Sequence, residues 1–492
     1  MDLLPNALID SQQNSVRDIC IVGAGPGGLV ALKMIMDTPQ YKEGVWRPIA
    51  FEEREKVGGI WVPAPPVDDP PITPLYDSLT TNLPHPLMCY ESFPFPPSTP
   101  LFPPAKTVET YLDDYASHFN LMPHIRLSTP VLAVHWNSES LKWQVRVSDD
   151  EEHTYDLLIV ANGHYRVPRF PDTPGIDAWV AKGKATHSAW YRRPVNMGNT
   201  IMVVGGGPSG KDISAEMRGA AHVVIHSATN SAPEDIDDGT QGTLKRRGRV
   251  AEFLDVDEGR VLFQDGSIET GVDHCILATG FKHNHPYLPP ELLRAAVPPP
   301  VPPLPSTFYN STYHLFPLAR HLFPLTPTFP PERAVFLGLL KGIAPLPLME
   351  AQMFAALKIF ERPELLDPTQ EAVGVVTRYE HLRQRMGDSD IHIASAWHVF
   401  APQAQYDYRD ELHALVGDDE SRVATWVRDM YDQRDVLRAE WRDLERRGEA
   451  NDWVRGVGEG GTKEWVELMQ KLLKRADERK TKEEAGDRKA KL

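Results

Sequence analysis

Asp18-Ile-Cys-Ile-Val22 is a short apolar run, and Gly23-Ala-Gly25-Pro-Gly-Gly28 follows it directly. An apolar run of this length, bounded by glycine, is typical of a buried parallel strand. In such a turn the first glycine permits the tight bend, the second lets a pyrophosphate approach the backbone, and the third lets the helix pack closely on the strand. We therefore predict a strand, a glycine turn, a helix over 29–36 and a second strand over 49–52, which together form one βαβ unit.

The start of that helix and the end of the second strand carry the groups that a dinucleotide needs. A helix N-terminus presents free N–H groups and a partial positive charge to phosphates. Glu52 ends the second strand, where a carboxylate accepts hydrogen bonds from ribose hydroxyls. The pattern predicts dinucleotide binding, and its alternative is a glycine-rich turn without a ligand. The residues concerned are Gly23, Gly25, Pro26, Gly27, Gly28 and Glu52.

A second turn of the same kind is Gly205-Gly-Gly207-Pro-Ser-Gly210. It follows a predicted strand over 201–204, and a matching strand is predicted over 222–225. Two such units on one chain suggest two dinucleotides, with Gly205, Gly207 and Gly210 at the second site. The alternative is a duplicated scaffold whose second site no longer binds.

The end of the second strand in this later unit reads His226-Ser-Ala-Thr-Asn230. It has no acid for a 2′-hydroxyl and no arginine for a 2′-phosphate. A cation could instead come from Lys211, Arg218 or the run Lys245-Arg246-Arg247. The missing acid favours NADPH over NADH.

The remaining elements are predicted from apolar runs and proline content. Proline-dense stretches at 63–104 and 286–305 exclude regular helix and central strand there. Beyond Ser421 the chain is highly charged and helical in pattern, and from Lys474 onward it is expected to be a frayed helix or disordered. Strands are predicted over 131–136, 142–147, 155–161, 275–278 and 334–337, and a helix over 350–360.

Charge and cysteine content limit the partners. The formal net charge of -16 over 492 residues disfavours nucleic acid and anionic membranes and favours a small-molecule substrate. The three cysteines form no C-x-x-C pair, so neither a metal site nor a disulfide framework is expected. Residues 1–15 lack the features of a signal peptide, and no apolar run is long enough for a bilayer. The sequence thus predicts a soluble, cytoplasmic protein.

Gly183-Lys-Ala-Thr-His187-Ser-Ala-Trp-Tyr191 lies just before the second glycine turn. Its spacing resembles the fingerprint of the flavin-containing monooxygenases, with Gly183, His187 and Tyr191 at the marked positions. Ala181 departs from that pattern, which has phenylalanine there, and Tyr191 stands where Baeyer–Villiger enzymes have tryptophan. Further segments resemble the same family, and the resemblance covers about 17–415: 51–61, 76–84, 162–168, 277–281, 336–338 and 350–352. Residues 398–402 resemble the tail of its soluble fungal-type members.

The resemblance implies an α/β fold with two Rossmann-like domains, an FAD domain into which a smaller NADP domain is inserted. The FAD domain would comprise 1–194 and 281–420, the NADP domain 195–280, and the charged helical extension 421–492. It also implies that NADPH reduces the flavin and that the reduced flavin reacts with O2 to give a C4a-hydroperoxide, which transfers one oxygen atom to a soft nitrogen or sulfur nucleophile. The protein must then keep water and stray protons from the flavin, and few acid–base residues are needed.

Individual residues are assigned by the same resemblance. Asn82 lies beside the flavin as the catalytic residue, and His187 acts as a hinge or linker rather than as a proton carrier. Further contacts with FAD or NADP(H) are implied for Gly59, Ile60, Trp61, Thr81, Asn82, Val131, Ser209, Gly210, Lys211, Asp212, Thr279 and Gly280.

Several alternatives stay open. Rival enzymes are a Baeyer–Villiger monooxygenase and a lysine- or ornithine-type N-hydroxylase, and a different class is a non-catalytic flavoprotein binding module. A disulfide reductase is disfavoured because C-x-x-C is missing. The sequence decides neither the substrate nor whether the chain forms a homodimer.

Overall fold

The computed structural model describes residues 16–148, 151–195, 197–239 and 241–490. The expectation about residues 1–15, and the end of the tail at 491–492, lie outside the described residues. The chain divides into two compact units. Among the described residues, the first unit comprises the chain up to Gly59, Thr80–Gly163 and the chain from His283 onward, and the second comprises Ile60–Leu79 and His164–Lys282.

The described residues form 23 strands, numbered in chain order. They are β1 (Arg17–Val22), β2 (Trp46–Phe51), β3 (Ile125–Arg126), β4 (Val131–Asn137), β5 (Lys142–Val147), β6 (Glu152–Tyr155), β7 (Leu157–Val160), β8 (Val167–Pro168), β9 (Ala185–His187), β10 (Thr200–Val204), β11 (Val223–Ser227), β12 (Glu234–Ile236), β13 (Thr243–Arg247), β14 (Val250–Phe253), β15 (Val261–Phe263), β16 (Ile268–Glu269), β17 (His274–Leu277), β18 (Phe281–Lys282), β19 (Tyr309–Asn310), β20 (Leu315–Phe316), β21 (Leu318–Ala319), β22 (Phe323–Pro324) and β23 (Ala334–Phe336).

The α-helices are numbered in the same way. They are α1 (Pro26–Asp37), α2 (Pro39–Lys42), α3 (His85–Met88), α4 (Ala105–His118), α5 (Ile176–Ala181), α6 (Pro208–Met217), α7 (Pro345–Glu361), α8 (Pro368–Met386), α9 (Asp390–Trp397), α10 (Ala404–Leu415), α11 (Thr425–Asp432), α12 (Arg434–Arg447), α13 (Ala450–Val454) and α14 (Thr462–Ala490).

The first unit is built on a five-stranded parallel sheet of order β23-β7-β1-β2-β3. Residues 19–22 of the central strand β1 and all residues of its neighbour β7 are buried, which explains why these stretches are uninterrupted apolar runs in the sequence. An antiparallel sheet β4-β5-β6 packs its buried residues into the same hydrophobic cluster as β1 and β7. A hydrophobic core therefore lies between these two sheets.

The second unit is built on a six-stranded sheet of order β12-β13-β11-β10-β17-β9. All neighbours in it are parallel except β12 and β13. The unit contains 195–280 and also 60–79 and 164–194. The latter residues include β9, which pairs with β17 at the sheet edge. These two sheets confirm the predicted α/β fold with two Rossmann-like domains.

One strand prediction was wrong. The single strand expected over 155–161 is divided into β6 and β7. Asp156 lies between them: its N–H donates to Asp18 O at 2.8 Å, and its carboxylate accepts from the N–H of Asp18 at 2.9 Å. The chain leaves the antiparallel sheet at this residue and enters the parallel one, a change of partner that an apolar run cannot reveal.

One helix begins earlier than predicted. The helix expected over 350–360 begins at Pro345, because Pro345 and Pro347 lie in its first turn, where the missing proline N–H groups cost no hydrogen bond. The prolines therefore mark the start of α7 rather than an interruption.

The charged C-terminal extension is helical up to Ala490. Trp465, Leu468, Met469 and Leu472 of α14 are buried. Further along the helix, Arg475 donates to Glu440 and Asp443 of α12, each at 2.6 Å. No helix in the described part of the chain has both the length and the apolar composition that a bilayer crossing requires.

Candidate functional site

The first glycine turn has the geometry that its sequence predicts. Gly23 has φ +97°, and a Cβ added there would lie 2.8 Å from the carbonyl oxygen of Ala161. A Cβ at Gly28 would lie 1.9 Å from the carbonyl oxygen of Gly23, so α1 can approach β1 only with glycine at this position. A Cβ at Gly25 would meet Gly59 Cα at 3.3 Å. Packing within the protein thus requires glycine at two of the three motif positions.

Glu52 is held beside this turn. Its side chain is buried and accepts hydrogen bonds from the N–H of Ala24 at 2.7 Å and of Arg54 at 3.0 Å. Burial raises the pKa of the Glu52 carboxyl, while the two N–H groups oppose that rise. The residue therefore presents an oriented carboxyl group at the carboxyl end of β2, where the ribose of a dinucleotide is expected.

The second glycine turn repeats the packing of the first. A Cβ at Gly210 would lie 1.9 Å from Gly205 O, and one at Gly205 would lie 2.1 Å from Ala278 O. A Cβ at Gly207, in contrast, meets no atom within 4 Å. Gly207 is the N-cap residue of α6, where the motif places a pyrophosphate against the backbone. Since protein packing does not require glycine at 207, the position fits close approach of a dinucleotide.

Two cations lie near the end of β11. Strand β13 pairs with β11 so that Arg246 is opposite His226. His226 donates to Gly205 O at 2.9 Å, and its pKa is lowered by burial and further by the charges of Arg246 and Lys211. The tertiary structure therefore brings Lys211 and Arg246 to the position where a 2′-phosphate is expected.

The other candidate cations make firm ion pairs. Lys245 and Arg247 both bond to Glu269, and Arg218 bonds to Asp238 at 2.9 Å. Arg246 pairs with Glu234 at 2.6 Å, but both of these side chains are about half exposed, at 49% and 52%. Such an exposed pair contributes little, so Arg246 can exchange its partner for a phosphate.

The fingerprint residues lie in the second unit. His187 is buried at the end of β9, and its Nδ1 accepts from the N–H of Ala189 at 3.1 Å. Burial lowers the pKa of His187 to about 4, so its imidazole is neutral near pH 7. Gly183 has φ +70°, which favours glycine, and Tyr191 donates from its hydroxyl to Glu216 of α6 at 2.6 Å. The hydrogen bond of His187 is thus local to the fingerprint, whereas Tyr191 connects the fingerprint to α6.

Asn82 lies in the first unit on an exposed bend, next to buried Thr81 and Leu83. The N–H of Thr81 donates to Pro103 O at 3.0 Å, and its hydroxyl donates to Leu83 O at 2.8 Å. The backbone around Asn82 is therefore fixed while the amide side chain remains accessible. The hydroxyl of Thr81 is therefore used in a hydrogen bond within the protein.

The remaining predicted residues are distributed between the units. Val131 begins β4 in the first unit, whereas half-buried Ile60 and Trp61 belong to the second. Thr279 and Gly280 follow β17, and the hydroxyl of Thr279 donates to Arg169 O at 2.6 Å. No group of three or more metal-ligating side chains occurs among the described residues.

Sequence reasoning missed three polar contacts near the glycine turns. The hydroxyl of Tyr90 donates to Pro26 O at 2.7 Å, at the start of α1. In the second unit, Tyr76 donates to Asp212 of α6 at 3.0 Å, and Arg192 donates to several backbone carbonyls. The resemblance over 76–84 included Tyr76, but no local pattern indicated the partners of Tyr90 or Arg192.

A glycine turn of this geometry in each of two parallel sheets defines the class of α/β proteins that bind two dinucleotides on one chain. The family described as Flavin-binding monooxygenase-like matches residues 16–233, which include both turns and the fingerprint. Residues 16–233 of the chain are therefore similar to this family, in agreement with the sequence resemblance.

Two curated relatives are similar over part of the chain. Flavin-containing monooxygenase FMO GS-OX5 of Arabidopsis thaliana is 32% identical over 296 residues, which are 55% of this chain and 61% of the relative. Thiol-specific monooxygenase of Saccharomyces cerevisiae is 26% identical over 292 residues, which are 57% of this chain and 64% of the relative. The matches thus span less than two thirds of the relatives' length.

A solved structure is similar over nearly the whole chain. S-allyl-L-cysteine S-oxygenase from Allium sativum superposes with a TM-score of 0.70 at 24% identity, covering 95% of this chain and 99% of that chain. This likeness shows that the two proteins share their fold, including the part beyond the family match.

Proposed function

We propose that the protein is a monooxygenase that uses FAD, NADPH and O2 to transfer one oxygen atom to a soft nitrogen or sulfur nucleophile of a small molecule. The observation that carries the proposal is the pair of glycine turns, one in each unit, with the fingerprint packed beside the second. A simple dehydrogenase needs one such turn, whereas an enzyme that reduces a bound flavin with nicotinamide needs two.

The residues divide between the two cofactors. FAD would be held by the first glycine turn and by Glu52, and NADPH by the second glycine turn with Lys211 and Arg246 at the 2′-phosphate. Reduced FAD supplies the chemistry that activates O2. The chain's own contribution is to bind and orient the reactants, to exclude water, and to offer the Asn82 amide as a hydrogen-bond partner.

The names of two similar proteins favour sulfur as the first class of substrate to test. One is a thiol-specific monooxygenase and the other an S-allyl-L-cysteine S-oxygenase. Thiols and thioethers are soft nucleophiles, in keeping with an electrophilic oxygen donor. Ketones would test the Baeyer–Villiger alternative, which the tyrosine at 191 disfavours because that branch has tryptophan there.

The cysteines support a reducing compartment for this enzyme. Cys20, Cys89 and Cys275 are all free thiols, and burial raises the pKa of each well above its usual range. Protonated, buried thiols are unreactive. We therefore propose a cytoplasmic location and no role for cysteine in catalysis.

Anaerobic reduction followed by air tests the proposed function. The purified protein carrying FAD is mixed with NADPH without oxygen, and the flavin spectrum is followed; air and then a thioether are admitted. We expect bleaching, slow reoxidation in air, and one sulfoxide per NADPH. If neither NADPH nor NADH bleaches the flavin, the proposal that the protein is an enzyme is rejected, and the non-catalytic binding module remains. Bleaching with H2O2 as the sole product in the presence of thiols, thioethers and amines would reject oxygen transfer to soft nucleophiles.

A further inference from the structure

Residues 60–79, called here the proline segment, belong to the second unit and lie along the chain between Gly59 and Asn82. Proline has no backbone N–H, so such a segment has carbonyl oxygens that its own backbone cannot pair. Donors must come from elsewhere in the fold, and a side chain with several N–H groups suits this need. The prolines are Pro63, Pro65, Pro66, Pro70, Pro71 and Pro74.

Arg192 supplies these donors. Its guanidinium donates to Ala64 O at 3.1 Å and to Thr73 O at 2.8 Å, which lie on either side of residues 65–71 with their four prolines. It also donates to Ala189 O and Tyr191 O, each at 2.8 Å, at the end of the fingerprint. One side chain therefore joins two separated points of the proline segment to the fingerprint.

The surrounding contacts strengthen this connection. The carbonyl of Arg192 accepts from the N–H of Asp77 at 2.7 Å. The ring of Tyr76 packs edge-on against Tyr191 at 5.9 Å, and its hydroxyl donates to Asp212 at 3.0 Å. Asp212 lies in the N-terminal part of α6, about one turn from the second glycine turn. The proline segment is thus attached to the helix whose N-terminus is proposed to bind the pyrophosphate.

The chemistry of the side chain explains why arginine is suited to this position. Desolvation lowers the pKa of Arg192, yet a guanidinium stays charged because its reference pKa is far above neutrality. Its planar array of N–H groups can reach four carbonyl oxygens at once, and a charged donor makes the stronger hydrogen bonds. A lysine ammonium has three donors on one atom and cannot span the same separation.

We propose that Arg192 is a positioning residue that holds the proline segment as a wall of the nicotinamide-dinucleotide site. The inference rests on the proposed function, since it assigns the second glycine turn to NADPH. Arg192 needs no contact with the coenzyme in this role. It acts through residues 73–79 and Tyr191, whose packing against α6 fixes the wall before the coenzyme binds.

Arg192→Met and Arg192→Lys test this role, and Arg193→Met is the matched control because Arg193 is the exposed neighbour. Three quantities are measured: NADP+ affinity by titration, the KM and kcat for NADPH, and amide hydrogen exchange of residues 72–79. For Arg192→Met we expect faster exchange at Asp77 and Leu79, and a loss of about tenfold in NADP+ affinity with a matching rise in KM. FAD content and kcat of Arg192→Met should change little. The NADP+ affinity and exchange rates of Arg192→Lys should lie between those of Arg192→Met and the wild type. Arg193→Met should resemble the wild type in every measurement.

The possible results distinguish a failure of the wall proposal from a failure of the proposed function. Unchanged exchange in Arg192→Met would reject the attachment, and faster exchange with unchanged NADP+ affinity would reject the wall. A wild type that binds no NADP+ would reject both the wall and the assignment of NADPH to this turn, whereas a wild type that binds NADP+ without oxygenating any substrate rejects only the proposed function.

A milder variant covers the case in which Arg192→Met does not fold. Tyr76→Phe keeps the ring on Tyr191 and loses the hydrogen bond to Asp212. We expect about a threefold loss of NADP+ affinity, because one hydrogen bond to a carboxylate is removed. Affinity equal to that of the wild type would contradict the wall.

Discussion

Asn82 combines a fixed backbone with a free side chain. Buried Thr81 and Leu83 hold the chain on both sides, and Thr81 bonds to Pro103 and Leu83 rather than outward. An exposed asparagine in such a bend is usually a turn residue that contributes little to stability. Its proposed role at the flavin can therefore be tested without loss of the fold.

Asn82→Ala should retain FAD and lose oxygenation. We expect the rate of product formation to fall about a hundredfold, the size of effect seen when one preorganised amide donor is removed. Melting temperature and flavin content should equal those of the wild type because the side chain is exposed. The control is Asn199→Ala, which removes another exposed asparagine. Normal product formation by Asn82→Ala would exclude a catalytic role.

Arg246 and Glu234 allow a test of coenzyme choice at the level of single side chains. Arg246→Ala should lower the preference for NADPH over NADH about tenfold, because one charged hydrogen bond to the 2′-phosphate is lost. Glu234→Gln removes the partner of Arg246 and should leave that preference equal or higher. The kcat/KM of each variant is measured with both coenzymes. An equal loss with NADPH and NADH in Arg246→Ala would contradict the assignment.

At the scale of elements, the two glycine turns contain some glycines that packing requires and others that it does not. Gly28 and Gly210 are required because a Cβ would overlap the carbonyl oxygen at the start of the same turn. Packing places no such constraint on Gly207. We therefore propose that α6 depends on Gly210 for packing and on Gly207 for binding of the dinucleotide.

Gly210→Ala and Gly207→Ala should therefore separate stability from binding. For Gly210→Ala we expect a loss of stability of about 2 kcal/mol or more, because the overlap forces α6 away from β10. For Gly207→Ala the stability should stay within about 0.5 kcal/mol, while NADP+ binding is lost. Thermal unfolding and NADP+ titration measure the two effects. Tight NADP+ binding by Gly207→Ala would place the coenzyme elsewhere.

At the scale of the whole molecule, buried histidines couple the stability of the first unit to pH. The Nδ1 atoms of His321 and His398 lie 3.1 Å apart, and His398 Nε2 accepts from the N–H of Leu315 at 3.2 Å. A neutral His398 must then carry its proton on Nδ1 and donate it to His321. Burial lowers the pKa of both residues well below the usual value, and the neighbouring His283, His314, Lys341 and Arg378 lower them further.

Stability should therefore decrease as the pH falls below about 6.5, the value for an unfolded histidine. The unfolded chain takes up protons there while the folded pair stays neutral, so each histidine can cost up to about 1.4 kcal/mol per pH unit. Chemical denaturation between pH 8 and pH 5 measures this slope. His321→Phe should lower this slope by the contribution of one proton. A slope unchanged in His321→Phe would contradict the neutral pair.

A structural feature could be predicted from the sequence when the residues that determine it lie close together along the chain. The two glycine turns, Glu52 at the end of β2 and the strands next to the turns were predicted, because bend, helix and strand are set by neighbours along the chain. The family was predicted for a similar reason, since its motifs are short and ordered. By itself, then, the sequence determined two Rossmann-like domains and two dinucleotide turns.

Only the tertiary structure decided which distant residues meet. The separation of β6 from β7 at Asp156, the placement of Arg246 opposite His226, and the attachment of the proline segment by Arg192 depend on sheet register and non-local packing. Register moves whole sets of side chains together, and no pattern within one strand reports its partner. The residues that we propose for coenzyme selection and for the wall of its site therefore became visible only when the strands had been brought side by side.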